Sequence, residues 1–548
     1  MRHWHWPLLL LLTLILSVFS LLPHTSGLAD FRSDFGTRPV PTVAGWGRPI
    51  AGAVYLIVVD GLRHDTAHSE AMPFLAELRR NGAAWGMLRA GLPSYSRPAY
   101  ARIITGAPAE LTGLTMNDQD GRSPVPTVFS LAAKAGLRTA SSAHAWIREL
   151  VDGPVSGART GRFTGGGIQA GYSYLSDDEP DSRVFAAARE FVVTFDPDLL
   201  LVLPVSVDTA GHRYGGASVE YRRSAAAADA ALADFFHSLP DQNYVAIITG
   251  DHGHRNAGGH GGEEEPVVEV PCLIFGQGVR PGPIRASLDQ LDIAPTIAAW
   301  LGLPMAGSMG GRVMQEVFLD QDAARSAQNA LVDARAAYLA GNRDLLGKRA
   351  GTDGASFAAA WAAARRSDLV RRFLIRLPVA LMLVGLVAIF LVGVFRQSGW
   401  RWPMLAGLAY PLYFYAALRL LGADYSYSAM VSAADFTVRV VLAGLIALAI
   451  LTWAGAALRR NGEAFFAPTS LGVWTAQSLI TILAWLIVGG NLRRYLPDLG
   501  WQVFLMVQSV VTMIASVYAL LGQLAMLVYR SLRRRGPGQS PEAERRQV

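Results

Sequence analysis

Apolar residues in the middle of the chain form four continuous runs of six or seven residues rather than an alternating pattern. These runs cover residues 53–59, 199–205, 244–249 and 270–275. Continuous runs are typical of strands that are buried on both faces of a sheet. Ala-rich stretches of helical length separate them, at residues 71–81, 127–135, 182–191 and 218–236. The alternation predicts an α/β domain over residues 50–320, with a mainly parallel sheet and helices on both faces.

The last third of the chain has a different pattern, with apolar stretches of about the length that a bilayer requires. These stretches cover residues 377–395, 403–421, 440–458, 471–490 and 503–526. They predict a transmembrane domain of about five helices over residues 377–526. Residues 321–372 are rich in Ala and Arg and predict a helical connector, and residues 530–548 predict a basic cytoplasmic tail.

The first residues carry an export pattern. Arg2 precedes an apolar segment at residues 7–22, and Gly27 and Ala29 have the small-x-small spacing of a cleavage site. Residues 1–29 are therefore expected to be a signal peptide or an uncleaved signal anchor. Either alternative predicts a multi-pass membrane protein whose α/β domain lies on the exported side, in the periplasm, the lumen or outside the cell.

The charge and cysteine content limit the kinds of partner and of metal site that the sequence can have. The formal net charge is +6, and much of the arginine lies beside apolar segments, as expected for contact with anionic lipid headgroups. We find no basic stripe with interleaved aromatic residues, so the sequence predicts a lipid partner and no nucleic acid. A single cysteine, Cys272, excludes an intrachain disulfide and a zinc site built from several cysteines.

Candidate metal ligands follow three of the apolar runs or lie in glycine-rich loops. Asp60 follows the first run, and the later motifs are Asp208-Thr-Ala-Gly-His212, Asp251-His252-Gly-His and Gly-Gly-His260-Gly-Gly. The carboxyl ends of parallel strands meet at one edge of a sheet, which is where such folds bind ligands. Carboxylate and imidazole groups suit Zn²⁺, and Mn²⁺ is the alternative.

The candidate ligands are numerous enough for two divalent ions. One ion is expected at Asp60, Asp251 and His252, with the hydroxyl of Ser96 as its fourth ligand. The other is expected at Asp208, His212 and His260, with one coordination position left open for catalysis. A pair of ions beside a hydroxyl favours in-line chemistry at phosphorus over a structural role.

The hydroxyl of Ser96 is the candidate nucleophile. It lies in Leu-Pro-Ser-Tyr-Ser-Arg-Pro, where Pro98 predicts the first turn of a helix. The N-terminus of that helix would direct backbone N–H groups at a phosphate. Ser94 is the rival nucleophile, and a plain helix cap is the alternative role for Ser96. Asn117 is expected either to donate to a phosphate oxygen or to form a turn.

Other polar residues near these motifs are expected to have no part in the chemistry. We assign no role to four further histidines, which are His64, His144, His237 and His254. The acidic residues 263–265 are expected to form a solvated loop rather than a ligand set.

Taken in order, these motifs resemble the alkaline-phosphatase superfamily, in particular its type I phosphodiesterase/nucleotide pyrophosphatase branch. The resemblance covers roughly residues 50–310 and includes Asp292-Ile-Ala-Pro-Thr. It implies an alkaline-phosphatase-like fold, metal ligands at the six Asp and His residues named above and a nucleophile at Ser96. The anchor, exported domain and multi-span domain together look most like the glycosylphosphatidylinositol ethanolamine phosphate transferases. Ser96 is a departure, because many relatives have Thr there, and the number of spans is smaller than in the eukaryotic transferases.

The sequence therefore predicts a membrane-anchored, two-metal phosphotransferase. It would move a phospho-alcohol such as phosphoethanolamine from a lipid donor to a glycan or lipid acceptor, through a phospho-serine intermediate. One alternative is an exported phosphodiesterase or nucleotide pyrophosphatase that hydrolyses phosphodiesters. The other is a non-catalytic membrane scaffold.

Overall fold

The structure of the chain is a computed structural model. It describes residues 31–35, 38–154, 160–240, 243–346, 357–396, 401–421, 426–429, 433–457, 466–487 and 499–534. The predicted signal segment at residues 1–29 lies outside the described residues. Of the predicted tail at residues 530–548, the part from residue 535 onward also lies outside them.

The described strands belong to one large sheet and one small one. In chain order they are β1 (Thr42–Val43), β2 (Ala53–Val58), β3 (Ala84–Arg89), β4 (Thr139–His144), β5 (Gly161–Thr164), β6 (Ala170–Tyr174), β7 (Leu199–Val202), β8 (Tyr244–Thr249), β9 (Glu269–Gly276), β10 (Gly282–Pro283), β11 (Leu288–Asp289) and β12 (Met305–Ala306). Strands β1 and β12 pair with each other, and the other ten form the large sheet.

The large sheet has the order β10-β3-β9-β8-β2-β7-β4-β6-β5, with β11 also paired to β3. Most neighbours are parallel, as predicted, and the antiparallel pairs are β3–β9, β8–β9 and β5–β6. The run at residues 270–275 is therefore a buried strand that runs against its neighbours. Its apolar pattern predicted burial correctly but contains no information about strand direction.

The helices of this domain and the connector alternate with the strands. They are α1 (His64–Ala67), α2 (Pro73–Arg80), α3 (Ser96–Thr105), α4 (Ala109–Thr112), α5 (Val128–Lys134), α6 (Ala145–Asp152), α7 (Asp181–Thr194), α8 (Ser206–Tyr214), α9 (Val219–His237), α10 (Glu265–Val268), α11 (Ile293–Leu301), α12 (Gln321–Gly341) and α13 (Arg343–Leu346). Short 3₁₀ turns cover Gln290–Asp292 and Gln315–Val317. All six residues of β2 are buried, so the centre of the sheet is covered on both faces, as the α/β prediction requires.

Three adjacent strands determine where the candidate ligands meet. β2 pairs in parallel with β7 on one side and with β8 on the other. Asp60 follows β2, Asp251 follows β8, and Asp208 lies in the first turn of α8, the helix after β7. Parallel strands end at the same edge, so three carboxylates that are distant in sequence converge there.

The C-terminal part consists of helices joined by short turns in its described residues. Its helices are α14 (Phe357–Phe395), α15 (Arg401–Leu408), α16 (Tyr410–Leu420), α17 (Ala433–Ala457), α18 (Phe466–Ile487) and α19 (Leu499–Arg534), with a 3₁₀ turn at Tyr427–Ala429. Four segments of the described helices are long and apolar enough to cross a membrane: Arg365–Gly393, Thr437–Ala454, Pro468–Ile487 and Val503–Gly522.

The sequence predicted one membrane-spanning helix at residues 403–421, but the structure has two short helices there. These are α15 and α16, which have 8 and 11 residues, and each is shorter than a full span. The break falls at Ala409, and Pro411 lies in the first turn of α16. Proline has no backbone N–H and favours the first turn of a new helix over the interior of a continuing one.

Candidate active site

The first predicted ligand set is assembled beyond β2 and β8. The Nε2 atom of His252 lies 3.2 Å from Oδ2 of Asp251 and 3.6 Å from Oδ1 of Asp60. All three side chains are buried, and one ligand atom from each lies within 4.8 Å of the others. Tyr100 donates a hydrogen bond to the second oxygen of Asp60, which fixes the orientation of that carboxylate.

The second predicted ligand set, Asp208, His212 and His260, lies next to the first. Asp208 belongs to two groups of possible ligands. The Nε2 atoms of His212 and His260 are 3.0 Å apart, and they lie 3.5 Å and 4.0 Å from the nearer oxygens of Asp208. The groups whose atoms approach within 4.8 Å are Asp208–His212–His254 and Asp208–His252–His260. The six predicted ligands are therefore brought together, and His254 joins them.

His254 is the residue that the sequence reasoning left out of the site. Its Nε2–H donates to Oδ1 of Asp208 at 2.7 Å, and the ring is fully buried. Helix α8 approaches this ring closely at Gly211, where a Cβ would lie 2.3 Å from the imidazole. The signal that could have found it is its spacing, because His254 is two residues after His252 in the same loop.

Backbone carbonyls determine which nitrogen of two histidines is free to bind a cation. Nδ1 of His252 lies 3.1 Å from the oxygen of Gly253, and Nδ1 of His260 lies 2.9 Å from the oxygen of Ser94. A carbonyl oxygen only accepts, so Nδ1 carries the hydrogen in both rings. The lone pair of each Nε2 then points into the cluster, which is the arrangement of a metal-binding histidine.

The site fits a divalent cation. Oδ1 of Asp60 and Oδ2 of Asp251 are buried without a hydrogen-bond partner among the described residues. Burial and the neighbouring carboxylates raise the pKa of Asp60, and burial raises the pKa of Asp251 to about 7. Burial lowers the pKa of His252 to about 3, so this ring is neutral. Neutral imidazoles beside carboxylates that lack counter-charges are a donor set that a cation completes.

Asp208 differs from the other two carboxylates. Burial by itself would raise its pKa, but the hydrogen bond from His254 and the nearby imidazole of His212 outweigh that effect and hold the pKa well below its usual range. Asp208 is therefore ionised, and its charge lies among four imidazoles, those of His212, His252, His254 and His260.

The two candidate serines have different surroundings. Ser96 is the first residue of α3, and its Oγ lies 3.1 Å from Nε2 of His252, at the edge of the ligand cluster. Ser94 donates to the carbonyl oxygen of Gly262 at 2.8 Å and accepts from the N–H of Gly261 at 3.0 Å. The hydroxyl of Ser94 is thus occupied in holding the glycine-rich loop, whereas the hydroxyl of Ser96 faces the ligands.

Asn117 lies beside the first turn of α3. Its Oδ1 accepts a hydrogen bond of 3.0 Å from the backbone N–H of Arg97, the residue after Ser96. This bond uses the oxygen end of the amide and leaves the NH₂ end as the donor. Arg97 itself is buried and forms an ion pair of 2.9 Å with Glu149, which anchors the first turn of α3.

Comparison with known proteins identifies the class of the α/β domain. The family model described as type I phosphodiesterase / nucleotide pyrophosphatase matches residues 54–262, which contain every predicted ligand and Ser96. The chain therefore carries an enzyme domain that is similar to this family over these residues, as the motifs predicted.

Among individual proteins, the chain is similar to several glycosylphosphatidylinositol (GPI) ethanolamine phosphate transferases. The catalytic subunit of human transferase 2 is 23% identical over 283 residues, covering 48% of this chain and 28% of that protein. Transferase 2 of Aspergillus fumigatus is 23% identical over 358 residues, covering 58% and 44%. The chain thus spans less than half the length of these relatives.

Solved structures with a detectable likeness include murine ectonucleotide pyrophosphatase / phosphodiesterase 5. That likeness has a TM-score of 0.39 at 13% identity, covering 47% of this chain and 96% of the other. A protein of the alkaline phosphatase superfamily from Vibrio parahaemolyticus gives a TM-score of 0.38 at 16% identity, covering 55% and 80%.

Proposed function

We propose that the protein is a membrane-bound phosphotransferase. It moves a phospho-alcohol, with phosphoethanolamine as the leading candidate, from a lipid donor to a glycan or lipid acceptor through a covalent intermediate on Ser96. The observation that carries the proposal is the buried cluster of Asp and His residues beside the Ser96 hydroxyl. The similarity to GPI ethanolamine phosphate transferases supports this choice of substrate, and the four apolar helices support a lipid donor.

The chemistry begins at the hydroxyl of Ser96. A bond forms between Oγ and the donor phosphorus while the bond from phosphorus to the lipid oxygen breaks, and the serine proton ends on the released lipid alcohol. In the second step an acceptor hydroxyl bonds to the phosphorus, the Ser96 bond breaks, and the acceptor proton returns to Ser96. Asn117 NH₂ and the backbone N–H of Ser96, the first of α3, bind the non-bridging oxygens in both steps.

Two divalent ions are part of the proposal, with Zn²⁺ favoured over Mn²⁺. Asp60, Asp251 and His252 would hold one beside Ser96, and Asp208, His212 and His260 would hold the other. When bound, these ions supply Lewis-acid stabilisation of the charge that develops on the phosphoryl group. His254 holds the carboxylate of Asp208 in place by its hydrogen bond, which is the role of an outer-shell partner.

The proposed orientation puts the α/β domain on the exported side of the membrane. The predicted signal segment at residues 1–29 and the four apolar helices that follow the domain support it. The hydrolase alternative shares every step up to the intermediate and differs only in the acceptor, which would be water. The description of the matching family, a phosphodiesterase and nucleotide pyrophosphatase, favours this second candidate.

A partition assay distinguishes the two candidates. The full chain in nanodiscs receives phosphatidylethanolamine with a labelled headgroup and a soluble glycan carrying a primary alcohol. We expect labelled phosphoethanolamine on the glycan in excess of the free product, because the acceptor competes with water for the intermediate. Release of free phosphoethanolamine alone, at every glycan concentration, would establish the hydrolase and contradict the transferase.

A further inference from the structure

A short segment of the membrane part lies directly on the catalytic domain. This segment, Ser426 to Ala429, lies between α16 and α17, and we call it the docking segment. The hydroxyl of Ser428 accepts from the N–H of Gly262 at 2.7 Å and donates to Oε2 of Glu264 at 2.7 Å. Ser426 donates to the other oxygen of the same carboxylate. One glutamate thus binds both serines, in a loop that the sequence predicted to be solvated.

The loop that receives the docking segment is the glycine-rich loop of the active site. It contains His260, and the backbone of Gly262 contacts the docking segment directly. A Cβ on residue 262 would lie 2.7 Å from Oγ of Ser428 and 2.6 Å from Oε2 of Glu264. The absence of a side chain at this position therefore permits the contact between the two parts of the chain.

An aromatic pair continues the contact towards the nucleophile. The ring of Tyr427 meets the ring of Tyr95 edge to face with centroids 5.8 Å apart, and Tyr95 meets His260 in the same way at 5.7 Å. The hydroxyl of Tyr427 lies 3.9 Å from the sulfur of Met116, and the side chain is 8% exposed. Tyr95 immediately precedes Ser96, so Tyr427 is separated from the nucleophile by one aromatic layer.

The apolar core of the helical bundle extends into this contact. Tyr427 belongs to a buried cluster with side chains of α16, α17 and α19, and three catalytic-domain residues pack against that cluster: Leu92, Tyr95 and Met116. The apolar surface therefore continues from helices of membrane-spanning character to the residues that flank Ser96. A lipid phosphodiester needs such continuity, because its phosphorus must reach a polar nucleophile while its acyl chains stay in an apolar environment.

We propose that the docking segment and Tyr95 form the wall of the active site that selects a lipid phosphodiester over a soluble one, with Tyr427 as the specificity-determining residue. This inference rests on the proposed function at Ser96 and deepens it. Tyr95, which is only partly buried, contacts the apolar part of the lipid next to its phosphate, and the buried ring of Tyr427 packs behind Tyr95 and holds it in place. Glu264 is a positioning residue, which holds the wall through Ser426 and Ser428.

The kinetic test compares two substrates on the full chain in nanodiscs, phosphatidylethanolamine and a soluble chromogenic phosphodiester. We expect Tyr427→Ala to lower the ratio of kcat/KM for lipid to kcat/KM for soluble diester about tenfold, mainly through KM, because Tyr95 loses the ring that holds it against the lipid. Tyr427→Phe keeps the ring and should stay near the wild-type ratio. Tyr413→Ala removes an exposed tyrosine of α16 and is the matched control, with both rates unchanged. An equal loss on both substrates, or no loss on either, overturns the inference.

A binding measurement separates this inference from the proposed function. The probe is a non-hydrolysable lipid phosphonate, measured in the Ser96→Ala background so that turnover plays no part. We expect Tyr427→Ala and Glu264→Gln to weaken its binding about tenfold. If binding depends on Tyr427 but the chain with Ser96 intact shows no lipid turnover, the wall is supported and the transferase is contradicted. If the chain with Ser96 intact turns over lipid but binding does not depend on Tyr427 or Glu264, only the proposed wall is overturned.

Discussion

Replacing Ser96 by alanine is expected to lower kcat on any phosphodiester by at least about 10³-fold, because no covalent intermediate can form without the hydroxyl. The side chain lies at the N-terminus of α3 and 3.1 Å from His252, so its loss changes one atom and leaves the ligand carboxylates in place. Steady-state rates on a soluble diester measure the effect. The melting temperature should stay close to that of the wild type, which excludes unfolding as the cause.

Ser94→Ala is the matched control, two residues away in the same segment. Its hydroxyl bonds to Gly261 and Gly262 rather than facing the ligands, so its loss loosens the loop without removing the nucleophile. We expect a lower melting temperature and a residual kcat that exceeds that of Ser96→Ala by about 10²-fold or more. The reverse order of the two variants would make Ser94 the nucleophile.

Asp208→Asn is expected to have the second largest effect, a loss of metal affinity of at least about 100-fold with a parallel loss of turnover. Asp208 is the ionised carboxylate among four imidazoles, and the nearly isosteric amide removes its charge. A calorimetric titration of metal-free protein with Zn²⁺ measures the affinity directly. Unchanged affinity for both ions would remove Asp208 from the metal site.

Asp229→Asn is the control for the cost of changing a buried carboxylate. Asp229 is as buried as Asp208 but accepts from the backbone N–H groups of Phe74 and Leu75, outside the site. We expect this variant to unfold at a lower temperature, because an amide is a weaker acceptor, and to bind zinc as the wild type does.

The sequence predicted the convergence of the ligands because the rule behind it is simple. Continuous apolar runs indicated the buried strands, and an aspartate after β2, after β8 or in the helix after β7 reaches the common edge when the strands are parallel. Adjacency of these three strands was the missing information, since strand order depends on packing between elements far apart in the chain. Their order β8-β2-β7 supplies it.

The features that sequence reasoning missed are contacts between distant segments. His254 looked like an ordinary loop histidine until α8 brought Asp208 to 2.7 Å from it. Glu264 looked solvated because its partners, Ser426 and Ser428, are more than 160 residues away. The break at Ala409 had a local signal in Pro411, but hydropathy averaged over a window does not register it.

The covalent intermediate on Ser96 is tested most simply by the mass of the peptide that contains this residue, taken from the full chain quenched during turnover of a labelled phosphodiester. We expect a labelled phospho-alcohol on Ser96 itself, absent from Ser96→Ala and absent when a chelator has removed the metal. Label on another residue, or full turnover in Ser96→Ala with no labelled enzyme at any time, would contradict this expectation.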